Sequence, residues 1–172
     1  MLCLKEANLE DMEKEYQFIT NTPAEENGFT NPDAGCTRDD FRDHILPGYL
    51  RAAKGEGLPE GWVPETRLFL WDGDDIVGLF RIRHYLNEAL ANGAGHIGYG
   101  IRKDLRGKGY ASLGLRLALQ RAWDIIREEE IYLSVHKDNP ASLRAQLKNG
   151  AYIHHESDVE YFTRIRRPAP SA

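Results

Sequence analysis

Two different periods of apolar residues divide the chain near Thr66. Before it, Leu9, Met12, Tyr16 and Ile19 recur at three- and four-residue steps in LEDMEKEYQFI, which predicts an amphipathic helix with Asn8 as its cap. TRDDFRDHILPGYLRAA repeats the helical period, with Thr37 in the cap position and Phe41 and Ile45 on one face. Pro47 is placed to break or kink that helix. LCLKEA, ahead of both, predicts a short first strand. TNTPAEENGFTNPDAG, between the helices, is rich in Asn, Pro and Gly and predicts a long loop of the kind that often carries function.

After Thr66 the period shortens. TRLFLWD and IVGLFRIR flank the turn Gly73-Asp74-Asp75 and predict an antiparallel hairpin. HYLNEALANGAG reads as a connector with one helical turn. HIGYGIR sets Ile97, Tyr99 and Ile101 against His96, Gly98 and Gly100, a strand whose glycine face suits close approach by another backbone. YASLGLRLALQRAWDIIREEE predicts a long helix with an apolar band through Ala111, Leu115, Ala118, Ala122 and Ile126. The strand IYLSVH follows. Asn139 then caps a helix with Pro140 at its first position, Leu143 and Leu147 on its buried face and Gly150 past its end. AYIHHE and VEYFTRIR predict two last strands, and RPAPSA a disordered tail. The tally is an α/β (α+β) domain over 1–167, with about six to seven strands flanked by helices and a tail at 168–172.

Composition narrows the class. With 172 residues, 41% hydrophobic and 28% charged, a single soluble globular domain is expected. No apolar run approaches the roughly 20 residues of a membrane span, and no signal peptide is visible. Cys3 and Cys36 lie far apart and suit free thiols in a reducing cytoplasm, which gives the expected location. The net charge of −5 is uneven: residues 1–60 hold 13 acidic and 6 basic side chains, a balance of −7, and the remainder sums to +2. That asymmetry fits a cationic substrate beside an anionic cofactor, or simply a solvated acidic face. No basic stripe marks a nucleic-acid partner.

Two glycine motifs compete for a phosphate. Gly93, Gly95 and Gly98 spell G-x-G-x-x-G, but a dinucleotide fingerprint follows a strand, opens a helix and needs an acid about 20 residues on. Here a connector precedes, a strand follows, and position 118 is Ala118. Arg106-Gly107-Lys108-Gly109-Tyr110-Ala111 has better surroundings, a strand, a short loop and then a long helix whose first amides lack internal partners. A Walker loop is excluded, because position 102 is Arg and position 109 is Gly.

IRKDLRGKGYA resembles motif A of the GNAT superfamily of N-acetyltransferases, with Arg106, Gly109 and Ala111 matching [Q/R]-x-x-G-x-[G/A]. VHKDNPASLRAQLKNGAY is similar to motif B through Asn139, Ser142, Lys148 and Gly150. The order of strands and helices from Leu2 to Ile165 matches too. GWVPE, RHYLNEAL and AGHIGY look like a subgroup of bacterial acetyltransferases whose substrate is unassigned. The resemblance implies a mixed, mostly antiparallel sheet that splays between its fourth and fifth strands, with acetyl-CoA as cosubstrate and no metal. The pyrophosphate would lie on residues 106 to 111, the pantetheine along Ile101, Asn139 and Ser142.

The implied reaction is direct acetyl transfer to a primary amine of a small molecule or protein, without a covalent enzyme intermediate. His96 is the candidate base, against the alternative of a histidine bonded within the sheet. Arg83, His84 and Asn87 are candidates to line the acceptor site, and Arg83 serves equally as an ion-pair partner. Glu25, Glu26 and Asp33 are the loop acids able to reach a cationic acceptor. The family's usual tyrosine acid falls at Gln146, which leaves Tyr152 or Ser142 as substitutes, or a thiolate released without direct protonation. That departure keeps a second reading open, a catalytically silent acyl-CoA-binding module. Tyr99 reads as core more readily than as catalyst, and a homodimer stays open.

Overall fold

The computed structural model describes residues 1–169, so the last three residues of the expected tail lie outside the described residues. Strands β1 (Leu2–Glu6), β2 (Glu65–Asp72), β3 (Asp75–Arg83) and β4 (Ile97–Ile101) form an antiparallel sheet in the order β1-β2-β3-β4. Strands β5 (Glu130–His136), β6 (Tyr152–Glu156) and β7 (Glu160–Arg166) form a second antiparallel sheet in the order β5-β7-β6. The helices are α1 (Met12–Asn21), α2 (38–53), α3 (Glu88–Ala91), α4 (Tyr110–Ile125) and α5 (Pro140–Lys148). No helix among the described residues is long and apolar enough to cross a membrane.

The middle of β2 and β3 is apolar on both faces because helices cover both. On one face α4 sets Leu115, Ala118 and Ala122 against Leu68, Leu70, Phe80 and Ile82. Gly114 permits that approach, since a Cβ there would stand 2.5 Å from the Phe80 ring. On the other face α1 and α2 pack Phe18, Ile19, Phe41 and Leu46 against Phe69, Trp71 and Leu79.

Local structure departs from the sequence pattern at five places. Asn8 caps a turn by accepting from Asp11 N–H at 2.9 Å, and α1 begins only at Met12. Pro47 does not break α2; a π turn over Phe41–Ile45 precedes it, closed by Leu46 N–H on the Phe41 carbonyl, and Pro47 sits in the first turn after it. The long loop contains a hairpin, Glu25–Glu26 against Phe29–Thr30, turning on Asn27 (φ 52°) and Gly28 (φ 81°). α4 stops at Ile125, where Arg167 donates to the carbonyls of Trp123 and Ile126. α5 buries Ala145 and Gln146, whereas Leu147 is exposed.

β4 and β5 meet at one bridge, Gly95 to Leu133. Gly95 (φ 70°) allows it, because a Cβ would lie 2.2 Å from the Tyr132 carbonyl oxygen. His96 completes the junction: its N–H donates to Tyr132 O at 2.7 Å and its Nδ1 accepts from Tyr132 N–H at 2.9 Å. Beyond this point no ladder joins the strands among the described residues, and the sheets splay apart. Gly93 and Gly95 thus serve the chain's own turns and crossing.

Candidate active site

A cleft of about 710 Å³ fills the splay. One wall is β4 and the loop after it, another the first turn of α5, and the hairpin at 25–30 closes the third side. α4 opens onto this cleft without a side-chain cap, its N-cap Gly109 held at φ 87°. Gly107 is left-handed as well (φ 79°), and a Cβ on either glycine would meet no atom within 4 Å, so conformation and not crowding demands them. The loop thereby turns the first amides of α4 outward, with the positive end of the helix behind them. Lys103, Arg106, Arg144 and Lys148 line the cleft. Uncapped amides and cations in this arrangement suit an anionic, phosphate-bearing ligand.

The backbone of β4 supplies the second element. Arg102 N–H donates to Val77 O and Arg83 N–H to His96 O, so the β3 ladder uses every second residue of β4. Tyr99 and Ile101 fall between and direct their amides into the splay. Opposite them, Asn139 caps α5 by accepting from Ser142 N–H at 3.2 Å. Tyr99 Oη lies 2.8 Å from Ser142 Oγ, which ties β4 to the start of α5 across the cleft. Burial pushes the Tyr99 phenol up, against its hydrogen bonds to Ser142 and Gln146, so it is protonated at neutral pH.

A family model of the acetyltransferase (GNAT) domain matches residues 1–152. The chain belongs to the GNAT acetyltransferases. No curated protein matches its sequence. Among solved structures it is similar to a probable acetyltransferase (TM-score 0.68, 15% identity, 96% of this chain and 93% of that one). An aminoglycoside acetyltransferase in complex with coenzyme A gives TM-score 0.64 at 15% identity, over 97% of this chain and 95% of that one. The spermidine N-acetyltransferase of Vibrio cholerae in complex with CoA and spermine gives 0.62 at 16%, over 96% and 95%. As a GNAT family member the chain is an acetyl-CoA-dependent N-acetyltransferase, and the arrangement just described suits that cosubstrate's phosphates.

Of the GNAT residues named from sequence, Ile101, Arg106, Gly107, Gly109, Tyr110, Ala111, Asn139 and Ser142 all line the cleft. Lys108 stands outside its lining, exposed on the surface. Tyr110 also anchors the helix start, donating its hydroxyl to Asp72 at 2.7 Å. Lys103 and Arg144 are cleft cations that the motifs do not mark.

The acceptor-side candidates are scattered. His96 is fully buried in the sheet junction and does not line the cleft. Its Nδ1 lone pair is taken by Tyr132 N–H, while Nε2 points toward Glu128 Oε1 at 3.4 Å. Burial pushes its pKa below the usual histidine value, outweighing the Glu128 carboxylate. His84 bonds Thr66 Oγ1 at 2.8 Å, and Asn87 caps α3 while donating to Gly61 O. Neither faces the cleft. Arg83 donates to Gly95 O at 3.1 Å and stands 3.6 Å from Glu65, the ion-pair role. Gln146 is buried against Thr163 at 2.6 Å, and Tyr152 is held by Glu130 on the second sheet, so neither reaches the cleft as an acid. The loop acids do not converge on an acceptor either: Glu25 is exposed, Glu26 pairs with Arg106, and Asp33 binds Tyr49 and Arg67. Among the described residues no group of three or more His, Cys, Asp or Glu side chains could hold a metal ion.

Proposed function

We propose that this GNAT enzyme moves the acetyl group of acetyl-CoA directly onto a primary amine held at the acceptor face of β4. The observation that carries this reading is the uncapped start of α4 opening onto the β4–β5 splay, beside the cations Lys103, Arg106, Arg144 and Lys148. The α4 amides and Arg106 bind the pyrophosphate, and the Tyr99 and Ile101 amides in the splay align the thioester. An amide so placed stabilises charge developing on the carbonyl oxygen. The amine nitrogen attacks the carbonyl carbon, the carbon–sulfur bond breaks, and the sulfur leaves with the bonding pair. Tyr99, protonated and paired with Ser142 at 2.8 Å, supplies the proton for that sulfur, in place of the helix tyrosine that Gln146 replaces. The amine gives up its own proton to solvent, with positioning supplying most of the rate.

His96 acts in this scheme as a positioning residue that holds the two sheets together above the splay. A silent acyl-CoA-binding module is the reading that the same cleft would allow without turnover. Calorimetry and thiol release on the wild type distinguish the two readings, and Gly109→Glu tests the cleft that both share. The substitution sets a carboxylate at the helix terminus and should abolish acetyl-CoA binding together with transfer. Binding that survives Gly109→Glu would refute the assignment of this cleft, and binding without any turnover over a broad amine panel would favour the silent module.

A further inference from the structure

The acceptor face of β4 borders a cluster of arginines whose charges do not balance. The register sets Glu65 opposite Arg83, Arg67 opposite Arg81, and Arg81 opposite Gly98. Strand alternation puts all of them on the face that α1 and α2 cover, in line with Leu79 and Phe69. Three guanidinium groups therefore share this face. Two carboxylates answer them: Glu65 lies 3.2 Å from Arg67 Nε and 3.6 Å from Arg83 Nε, and Asp33 lies 3.5 Å from Arg67 Nη1. Arg67 also stacks on the Tyr49 ring at 3.7 Å, and Arg83 holds the Gly95 carbonyl.

Arg81 is left over. It forms no ion pair among the described residues, and its one polar contact is a long hydrogen bond from Nη2 to Thr30 Oγ1 at 3.4 Å. Its Nε is buried without any partner. Burial pulls its pKa down to about 10, more than Glu65 raises it, so Arg81 is still cationic at neutral pH. A desolvated guanidinium with no anion is costly, and proteins pair such groups.

The location narrows which anion Arg81 could take. The nearest atoms to a Cβ placed on Gly98 would be Arg81 Nη2 at 3.8 Å and Nε at 3.9 Å, with Arg83 Nη1 also at 3.9 Å. Both guanidinium forks thus stand over Gly98, one residue before Tyr99, whose amide faces the splay. Phe29 of the hairpin lies nearby, its ring 5.0 Å from the Arg81 guanidinium and 3.2 Å from where a Cβ on Gly100 would stand. Arg67, Arg81 and Arg83 are each partly exposed. A planar guanidinium fork matches a carboxylate in two-point geometry.

We propose that Arg81, with Arg83 beside it, binds the carboxylate of a free amino-acid acceptor and holds its amine against the free edge of β4. The proposal rests on the N-acetyltransferase reading and names its substrate class. It reverses the cationic acceptor suggested by overall charge, because the loop acids do not converge on this face: Glu25 is exposed, Glu26 pairs with Arg106 and Asp33 with Arg67.

The test measures thiol release from acetyl-CoA with the twenty amino acids, their α-amides, spermidine, and short peptides beginning with Asp or Glu. At least one amino acid should exceed its own amide by about tenfold or more in kcat/KM, and Arg81→Gln should collapse that ratio toward one, chiefly through KM. Thermal stabilisation by glutarate, a dicarboxylate with no amine, should occur in the wild type and vanish in Arg81→Gln. A preference for amides or spermidine, a ratio that survives Arg81→Gln, or acetylation confined to the acidic peptides would each overturn the proposal. Should no amine be acetylated, the transferase reading fails by itself, and the glutarate shift still decides whether Arg81 binds carboxylate. If Arg81→Gln does not fold, Arg81→Lys and the wild-type preference carry the same test.

Discussion

Glu26 and Arg106 clasp each other across the cleft, with Nη2 to Oε2 at 2.6 Å and Nη1 to Oε1 at 3.1 Å. The third donor, Nε, reaches the Ile101 carbonyl at 3.1 Å. The pair ties the hairpin at 25–30 to the loop that leads into α4, and it occupies the guanidinium that phosphate would use. The hydrogen bond to Arg106 keeps the Glu26 carboxyl below its ordinary pKa, so the competitor is charged at neutral pH. Glu26→Gln should tighten acetyl-CoA about two- to fivefold, the worth of one partly exposed pair. Calorimetry at low salt measures it. A weaker complex would mean that the clasp shapes the cleft for binding instead of competing for it.

Removing the Tyr99 hydroxyl tests the proton donor. Tyr99→Phe keeps the ring stacked on Phe80, whose centroid lies 5.2 Å away, and deletes only the group facing Ser142. The expected result is a fall in kcat of about 10²-fold with acetyl-CoA affinity nearly unchanged. Equal turnover by the variant would send the proton to solvent and return Tyr99 to packing.

For His96 the lone pair is the issue. A neutral imidazole whose Nδ1 already accepts from Tyr132 has no second lone pair to offer an amine. His96→Gln should therefore leave the shape of the pH–rate profile unchanged even where it lowers the rate. Stability gives an independent readout. The folded pKa lies below the unfolded value near 6.5, so the unfolded chain binds more protons in that window. Stability is full above about pH 6.5 and is lost as pH falls toward the folded pKa; His96→Gln should remove this part of the acid dependence. A profile limb that disappears in the variant would restore His96 as the base.

Glu15 titrates in the opposite sense. It is fully buried in α1, with Oε1 accepting from Asn8 N–H at 3.0 Å and Oε2 unpartnered. Burial pushes its pKa up to about 8 from 4.5, against the Asn8 hydrogen bond. Between these values the folded chain holds a proton that the unfolded chain has lost, so stability falls as pH rises. Glu15→Gln should gain about 1–3 kcal/mol over wild type at pH 8, with the difference shrinking toward pH 5. Thermal melts across that range measure it, and a constant difference would place the effect in packing.

Local chemistry was legible along the chain wherever neighbours in sequence decide conformation. Asn139 and Pro140 begin a helix by capping and by a fixed φ, because these preferences lie within a few residues. The family resemblance pointed to the loop and helix start that line the cleft for the same reason, as its motif lies within a few residues. The Asn27-Gly28 turn was present as a signal, yet two-residue strands carry no period to announce them. Tertiary structure alone decided the rest. Glu26 meets Arg106 from 80 residues away. The roles of His96 and Gln146 follow from Tyr132 and Thr163, which pair with them only once β5 and β7 are in place. The arginines at 67, 81 and 83 are ordinary strand residues in sequence. Register sets Arg67 against Arg81, and packing leaves Arg81 without its anion, because strand pairing depends on the whole sheet and no local preference encodes which charge a distant partner will bring.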